Sequence, residues 1–174
     1  MAWCVGEKQQ GLEQLVYQYK FDRAKAAYRV FAELLDATLP VLPIDMIVVP
    51  VPTISAHIRQ RGYDHAALLT KAFAQRRGLA YDTMLVRRSN TVQLGKNRMQ
   101  RRVQAEQAFE YRKSCDGKRF LIVDDIFTTG ATAEFAARTL KAAGAEDVWV
   151  AVIAHQPLEK KAPSRYNDEK ITTY

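Results

Sequence analysis

The sequence predicts an α/β domain with a mostly parallel sheet flanked by helices, and three observations carry that expectation. The runs Met46–Val49, Phe120–Val123 and Val148–Ala154 are apolar at consecutive positions, as strands covered on both faces require. Helical spacing lies between them: Leu68, Leu69, Ala72 and Phe73 within Asp64–Arg77, and a second helix over Thr132–Ala143. A glycine suited to a helix C-terminus follows each helix, Gly78 and Gly144. Strand 120–123, helix 132–143 and strand 148–154 make one βαβ unit, so parallel strands joined by a right-handed crossover follow.

The remaining elements fall around this core. Leu12, Leu15, Val16 and Tyr19, then Ala27, Val30, Phe31 and Leu34, each mark one helix face, so two amphipathic helices meeting near Lys20–Asp22 open the chain. Pro40 and Pro43 end that region, because neither can continue a helix. Thr83–Val86 reads as a short strand. Arg87–Arg102 is basic and poor in apolar residues, which predicts a mobile excursion. The chain of 174 residues, 48% hydrophobic and 26% charged, has the size of one domain. It divides into an N-terminal helical segment over 1–40, packed on the core at 41–156, and a polar tail over 157–174.

Composition removes several classes of function. Cys4 and Cys115 belong to no C-x-x-C pair, so a zinc framework or disulfide scaffold is not expected, and a reduced, cytoplasmic setting is. No apolar run reaches the ~20 residues that span a bilayer, and Glu7–Gln10 stands where a signal peptide needs an apolar centre, so membrane insertion is not expected. The net charge of +7 suits an anionic ligand, either a small polyphosphate or a nucleic-acid backbone. His57, His65 and His155 are scattered, without a carboxylate or cysteine at ligand spacing, which predicts no transition metal held by the protein alone.

The chemistry concentrates in one segment. Strand 120–123 delivers Asp124 and Asp125 to its carboxyl end, the edge at which open α/β sheets bind ligands. Thr128, Thr129, Gly130, Ala131 and Thr132 then lead into a helix, and N–H groups at a helix start, a glycine and threonine hydroxyls suit a phosphate monoester. The two carboxylates would repel phosphate but accept hydrogen bonds from vicinal hydroxyls. Phosphate plus diol describes a ribose 5-phosphate.

Four apolar residues, two acids and a T-T-G-A-T loop resemble the ribose-phosphate motif of type I phosphoribosyltransferases. Upstream, Pro50-Val51-Pro52, then Arg59 and Arg61-Gly62-Tyr63-Asp64-His65 before a Leu/Ala-rich helix, resemble the competence protein F (ComF/GntX-like) branch. Arg88, Thr91, Gln93 and Leu94, followed by Arg98, Arg101 and Ala108-Phe109, are similar to that branch's second signature, with Gln104 where an asparagine is usual. The branch usually carries an N-terminal four-cysteine zinc module, where this sequence shows only Cys4.

The resemblance implies a type I phosphoribosyltransferase-like fold with a flexible lid loop. Its ligand would be 5-phosphoribosyl-1-pyrophosphate (PRPP) or a related ribose phosphate, with Mg²⁺ arriving on the phosphates. Asp124 and Asp125 would be the catalytic pair that holds the diol. Pro50, Val51, Pro52 and Thr53 would form the pyrophosphate loop, where X-Pro bonds permit cis geometry, and Arg61 would match phosphate oxygens. Arg98 and Arg101, beside Lys96 and Arg102, would sit on the lid. Two functions stay open: transfer of phosphoribosyl to a nitrogen acceptor, or a competence accessory role with single-stranded DNA or a helicase partner. A homodimer is open under either. Both require strands 46–49 and 120–123 to lie in one parallel sheet with their carboxyl ends together.

Overall fold

The structure, a computed structural model, describes residues 1–7, 10–21, 25–87, 109–127 and 130–155. Its strands are β1 (Ala2–Glu7), β2 (Ile47–Pro50), β3 (Ala80–Tyr81), β4 (Leu85–Arg87), β5 (Phe109–Tyr111), β6 (Arg119–Phe127) and β7 (Asp147–His155). Its helices are α1 (Gln10–Phe21), α2 (Ala27–Thr38), α3 (Ser55–Arg61), α4 (His65–Arg77) and α5 (Ala131–Ala142).

Five strands form one sheet in the order β1-β7-β6-β2-β3, and every neighbouring pair is parallel. The apolar runs explain why. Successive side chains of a strand point to opposite faces, so a run with no polar gap must be covered twice. Val48, Leu121, Val123, Ala151 and Ile153 pack on one face with Phe31 and Leu35 of α2 and Leu69 and Phe73 of α4. Val49, Phe120 and Ile122 pack on the other with Ala136 and Leu140 of α5 and with Leu85 and Phe109. The sheet is thus the middle layer between two apolar clusters.

Helix α4 shows how local sequence sets the boundaries. Asp64 stands in extended conformation before it, and its Oδ1 accepts the N–H of Ala67 at 3.1 Å, the pattern of an N-cap. The same oxygen accepts the Thr53 hydroxyl at 2.9 Å, tying the loop after β2 to the start of α4. Gly78, left-handed at φ 63°, closes the other end. Arg77 then fastens α4 to α2, donating to the Asp36 carboxylate and to the carbonyls of Leu39 and Pro40, each at 2.9 Å for the carbonyls. Asp64→Ala removes the cap and the Thr53 tether together. It is expected to cost about 1–2 kcal/mol, read as a lower urea midpoint at unchanged slope.

The structure differs from the sequence reading in several places. The chain opens not on a helix but on β1, paired with β7 from Ala2↔Val150 to Glu7↔His155. That pairing spans the whole domain and packs Trp3 against Trp149, ring centroids 5.1 Å apart, so no local pattern announces it. β6 runs four residues past Val123, and both acids lie within it, because β7 continues the ladder to Phe127↔His155. The short strand after Thr83 is β4, which pairs antiparallel with β5 outside the main sheet, Leu85 opposite Tyr111. Helix α3 was absent from the reading, since none of its seven residues is buried and it has no apolar stripe. Among the described residues no helix is long and apolar enough to cross a membrane.

Candidate functional site

Strands β2 and β6 are neighbours in register, Pro50 opposite Val123, and the N–H of Val51 extends the ladder to the Val123 carbonyl at 3.0 Å. The carboxyl ends of the two runs therefore converge as their sequence required. After β2 the chain passes to α4, which packs in one apolar cluster; after β6 it passes to α5, which packs in the other. Connections that leave adjacent strands toward opposite faces open a crevice between them, the place where parallel sheets bind ligands.

That crevice has a volume of about 290 Å³ and is lined by Val51, Pro52, Thr53, Ile54, His57, Arg61, His65, Asp124, Asp125 and Ile126. It brings together the acid pair and most of the expected pyrophosphate loop. Pro50 is the buried last residue of β2, just beneath the loop. Arg59 is exposed on α3 and is not a lining residue. The peptide bonds of the described residues are all trans, so the cis geometry that the prolines permit is not used.

At the start of α5, Gly130 precedes the helix in left-handed conformation, φ 75°, and its carbonyl accepts the N–H of Glu134 at 2.8 Å. Ala131 is the first residue of α5 and Thr132, exposed, the second. Thr128 and Thr129 lie outside the described residues, as do Arg98 and Arg101 with Lys96 and Arg102. A β-branched residue resists positive φ, so Gly130→Val is expected to cost about 1–3 kcal/mol. Inorganic phosphate should stabilise the variant less than the parent, measured as the phosphate-dependent rise in melting temperature.

Asp125 is buried, 2% exposed, while Asp124 is half-buried and its Oδ1 accepts the Asp125 N–H at 2.8 Å. A buried carboxylate needs compensating polar contacts. His65 lies at ion-pair distance: its Nε2 is 3.2 Å from Asp125 Oδ2, with both side chains almost fully enclosed. On the far side of the ring, Arg61 Nη1 lies 2.8 Å from His65 Nδ1. Tyr19 of α1 donates its hydroxyl to the His65 carbonyl at 2.6 Å, and Tyr63 donates to the Tyr19 carbonyl. Burial pushes the Tyr19 phenol far above its usual range, with the Tyr63 and Asp125 charges acting in the same direction, so it remains a donor.

Here the sequence reading of the histidines is corrected. His65 is not isolated: with Asp124 and Asp125 it forms a group whose ligand atoms lie within 4.8 Å of one another. The distance to Asp125, sixty positions along the chain, is set by packing α4 against β6, which no spacing rule encodes. The group could in principle hold a metal ion, but the ring's proton argues against His65 as a ligand. A guanidinium only donates, so Nδ1 is the acceptor and the proton sits on Nε2, facing Asp125. What remains is a pair of oxygen donors, a set that suits a hard cation rather than a transition metal.

Residues 63–173 match the phosphoribosyl transferase domain family. The chain belongs to that family. Among curated proteins, this phosphoribosyltransferase-family chain is similar to competence protein ComFC of Streptococcus pneumoniae, 31% identical over 140 residues, 80% of this chain and 61% of that one. It is also similar to the DNA utilization protein YhgH of Salmonella typhi, 30% identical over 147 residues, 80% of this chain and 65% of that one. The chain thus spans less than two thirds of the length of these relatives, and the resemblance to the competence branch has its counterpart in them. Among solved structures, the glutamine PRPP amidotransferase from B. subtilis superposes with TM-score 0.52 at 18% identity, over 72% of this chain and 26% of that one. An allosteric regulatory enzyme of purine biosynthesis gives 0.54 at 20% identity, over 72% and 25%. At such identities the likeness is one of fold.

Proposed function

We propose that the protein binds PRPP with Mg²⁺ in the crevice between β2 and β6 and transfers the phosphoribosyl group to a nitrogen acceptor. One observation carries the reading: the acid pair in the carboxyl-terminal half of β6 and the Val51–Thr53 loop after β2 line the same cleft. Asp124 and Asp125 accept the two ribose hydroxyls, Gly130–Thr132 at the start of α5 receive the 5-phosphate with Thr128 and Thr129, and Arg61 faces the pyrophosphate. Bound Mg²⁺ supplies positive charge that neutralises the departing pyrophosphate. The nitrogen lone pair forms a bond to C1 as the bond from C1 to the pyrophosphate oxygen breaks with its electron pair, inverting C1. The protein's share is orientation and charge stabilisation.

Calorimetry with PRPP, with and without Mg²⁺, tests the binding step. Release of pyrophosphate in the presence of nitrogenous bases tests the transfer. Saturable binding that strengthens with Mg²⁺ is expected, and its absence at millimolar PRPP would end this reading.

A second reading has its own support. The relatives' names, competence protein and DNA utilization protein, and the net charge of +7 favour an accessory role with single-stranded DNA. It predicts single-strand affinity that falls steeply with salt, with no turnover of PRPP.

A further inference from the structure

We infer that His57 on α3 contacts the terminal phosphoryl group of the diphosphate, and so separates PRPP from a sugar carrying a single phosphate at C1. The inference rests on the PRPP reading and adds to it a contact that neither the acid pair nor the loop after β2 provides.

Helix α3 walls the crevice without packing in the core. None of its seven residues is buried, and it is fixed at its ends instead. The Ile54 carbonyl accepts the N–H of His57 at 2.9 Å and that of Ile58 at 3.2 Å. Gly62, left-handed at φ 82°, donates its N–H to the Ile58 carbonyl at 2.8 Å. His57 and Arg61 line the crevice, while Arg59 between them does not. Positions four apart share a helix face, with Cβ atoms roughly 5–6 Å from one another. That span suits a diphosphate, whose two phosphoryl groups share a bridging oxygen and hold their outer oxygens roughly one helical turn apart.

Arg61 sets the order of the two contacts. Its Nη1 lies 2.8 Å from His65 Nδ1, and His65 Nε2 lies 3.2 Å from Asp125 Oδ2, so Arg61 marks the end of α3 beside the acid pair. With the acids on the ribose hydroxyls, the phosphoryl group attached to C1 falls to Arg61. His57, one turn back along α3, meets the terminal group. Its side chain is exposed and, among the described residues, makes no hydrogen bond or ion pair, so it is available to a ligand. An imidazole always carries at least one N–H, and a hydrogen bond from it to an anionic oxygen is stronger than one between neutral groups.

The test compares wild type, His57→Ala, His57→Gln and Arg59→Ala, each checked for folding by circular dichroism. PRPP, ribose 1,5-bisphosphate and ribose 5-phosphate are titrated calorimetrically, all with Mg²⁺. The first two differ only in the terminal phosphoryl group. His57→Ala should lose about tenfold in affinity for PRPP, the scale of one hydrogen bond to a charged group, and keep the other two sugars within about twofold. His57→Gln, whose amide N–H can donate, should recover most of the loss. Arg59→Ala removes a positive charge from the same helix and should leave the preference for PRPP over the bisphosphate unchanged.

Equal losses for PRPP and the bisphosphate in His57→Ala would reduce His57 to part of the α3 scaffold, and no loss would remove it from the site. Either result overturns the inference. A matching fall of the preference in Arg59→Ala would replace the contact by the general charge of α3, and failure of His57→Gln to recover affinity would remove the hydrogen bond. Each of these also overturns it. A wild type that binds no PRPP would overturn the PRPP reading itself, a result distinct from the others, in all of which PRPP still binds.

Discussion

Replacing Asp124 and Asp125 together with asparagine will remove most of the heat stabilisation that PRPP and Mg²⁺ confer on the wild type. A ligand that binds only the folded state adds about 2.7 kcal/mol at a hundredfold excess over its Kd. For a chain of this size that is on the order of 5–10 °C in melting temperature. Hydrogen bonds from hydroxyls to an ionised carboxylate are about twice as strong as those to a neutral amide, so two such losses should erase most of the shift. The fold should survive the exchange, because asparagine matches the shape of aspartate at both positions and the strand pairing of Asp124 with Val152 is made by backbone. Inorganic phosphate should still bind weakly at the start of α5. A double variant that keeps the full PRPP-dependent shift would show that the acids do not hold the sugar.

The largest loss of stability is expected from Phe73→Ala. Phe73 is fully buried on α4, in the cluster that joins α2, α4 and the sheet residues Val48, Leu121 and Ile153. Truncating a buried phenylalanine costs about 3–5 kcal/mol, part from lost transfer energy and part from the cavity left behind. That is a large fraction of the 5–15 kcal/mol by which typical domains are stable. Arg77, whose guanidinium lies 5.8 Å from the centre of the Phe73 ring, would also lose its platform against α2. The measurement is a urea melt. A change below about 1 kcal/mol would mean that the neighbouring side chains collapse into the space, contrary to the close packing described here.

Which features were legible in the sequence follows from the range over which each is determined. β2, β6 and β7 announced themselves because a strand covered on both faces needs an unbroken apolar run, and Val48 and Val49 alone already serve both clusters. Helix α4 was legible to within one residue, since its apolar face and its closing glycine are both local. The acid pair was found through its neighbours, as the strand before it and the small residues after it leave few other uses. β1 was not legible, because Ala2, Cys4 and Gly6 carry no strand signal and only β7 makes the segment a strand. Nor was the length of β6: Asp124 and Asp125 look like the end of a strand until β7 is seen to continue beside them. His65 escaped for a related reason. Its position after Asp64 marks the start of a helix, but its partner is chosen by the packing of α4 on β6.

The departure of α4 and α5 toward opposite faces gives the crevice a modular character. Helices α4 and α5 are each anchored in their own apolar cluster, so side-chain changes beneath one are buffered from the other by the sheet between them. Loosening Ala136 or Leu140 under α5 would disturb the helix start at Gly130 while leaving His65 and Asp125 in place. Loosening Leu69 under α4 would do the opposite, shifting His65 and Arg61 and sparing the start of α5. The two ends of the proposed ribose-phosphate site can therefore drift independently through core substitutions that lie outside the crevice.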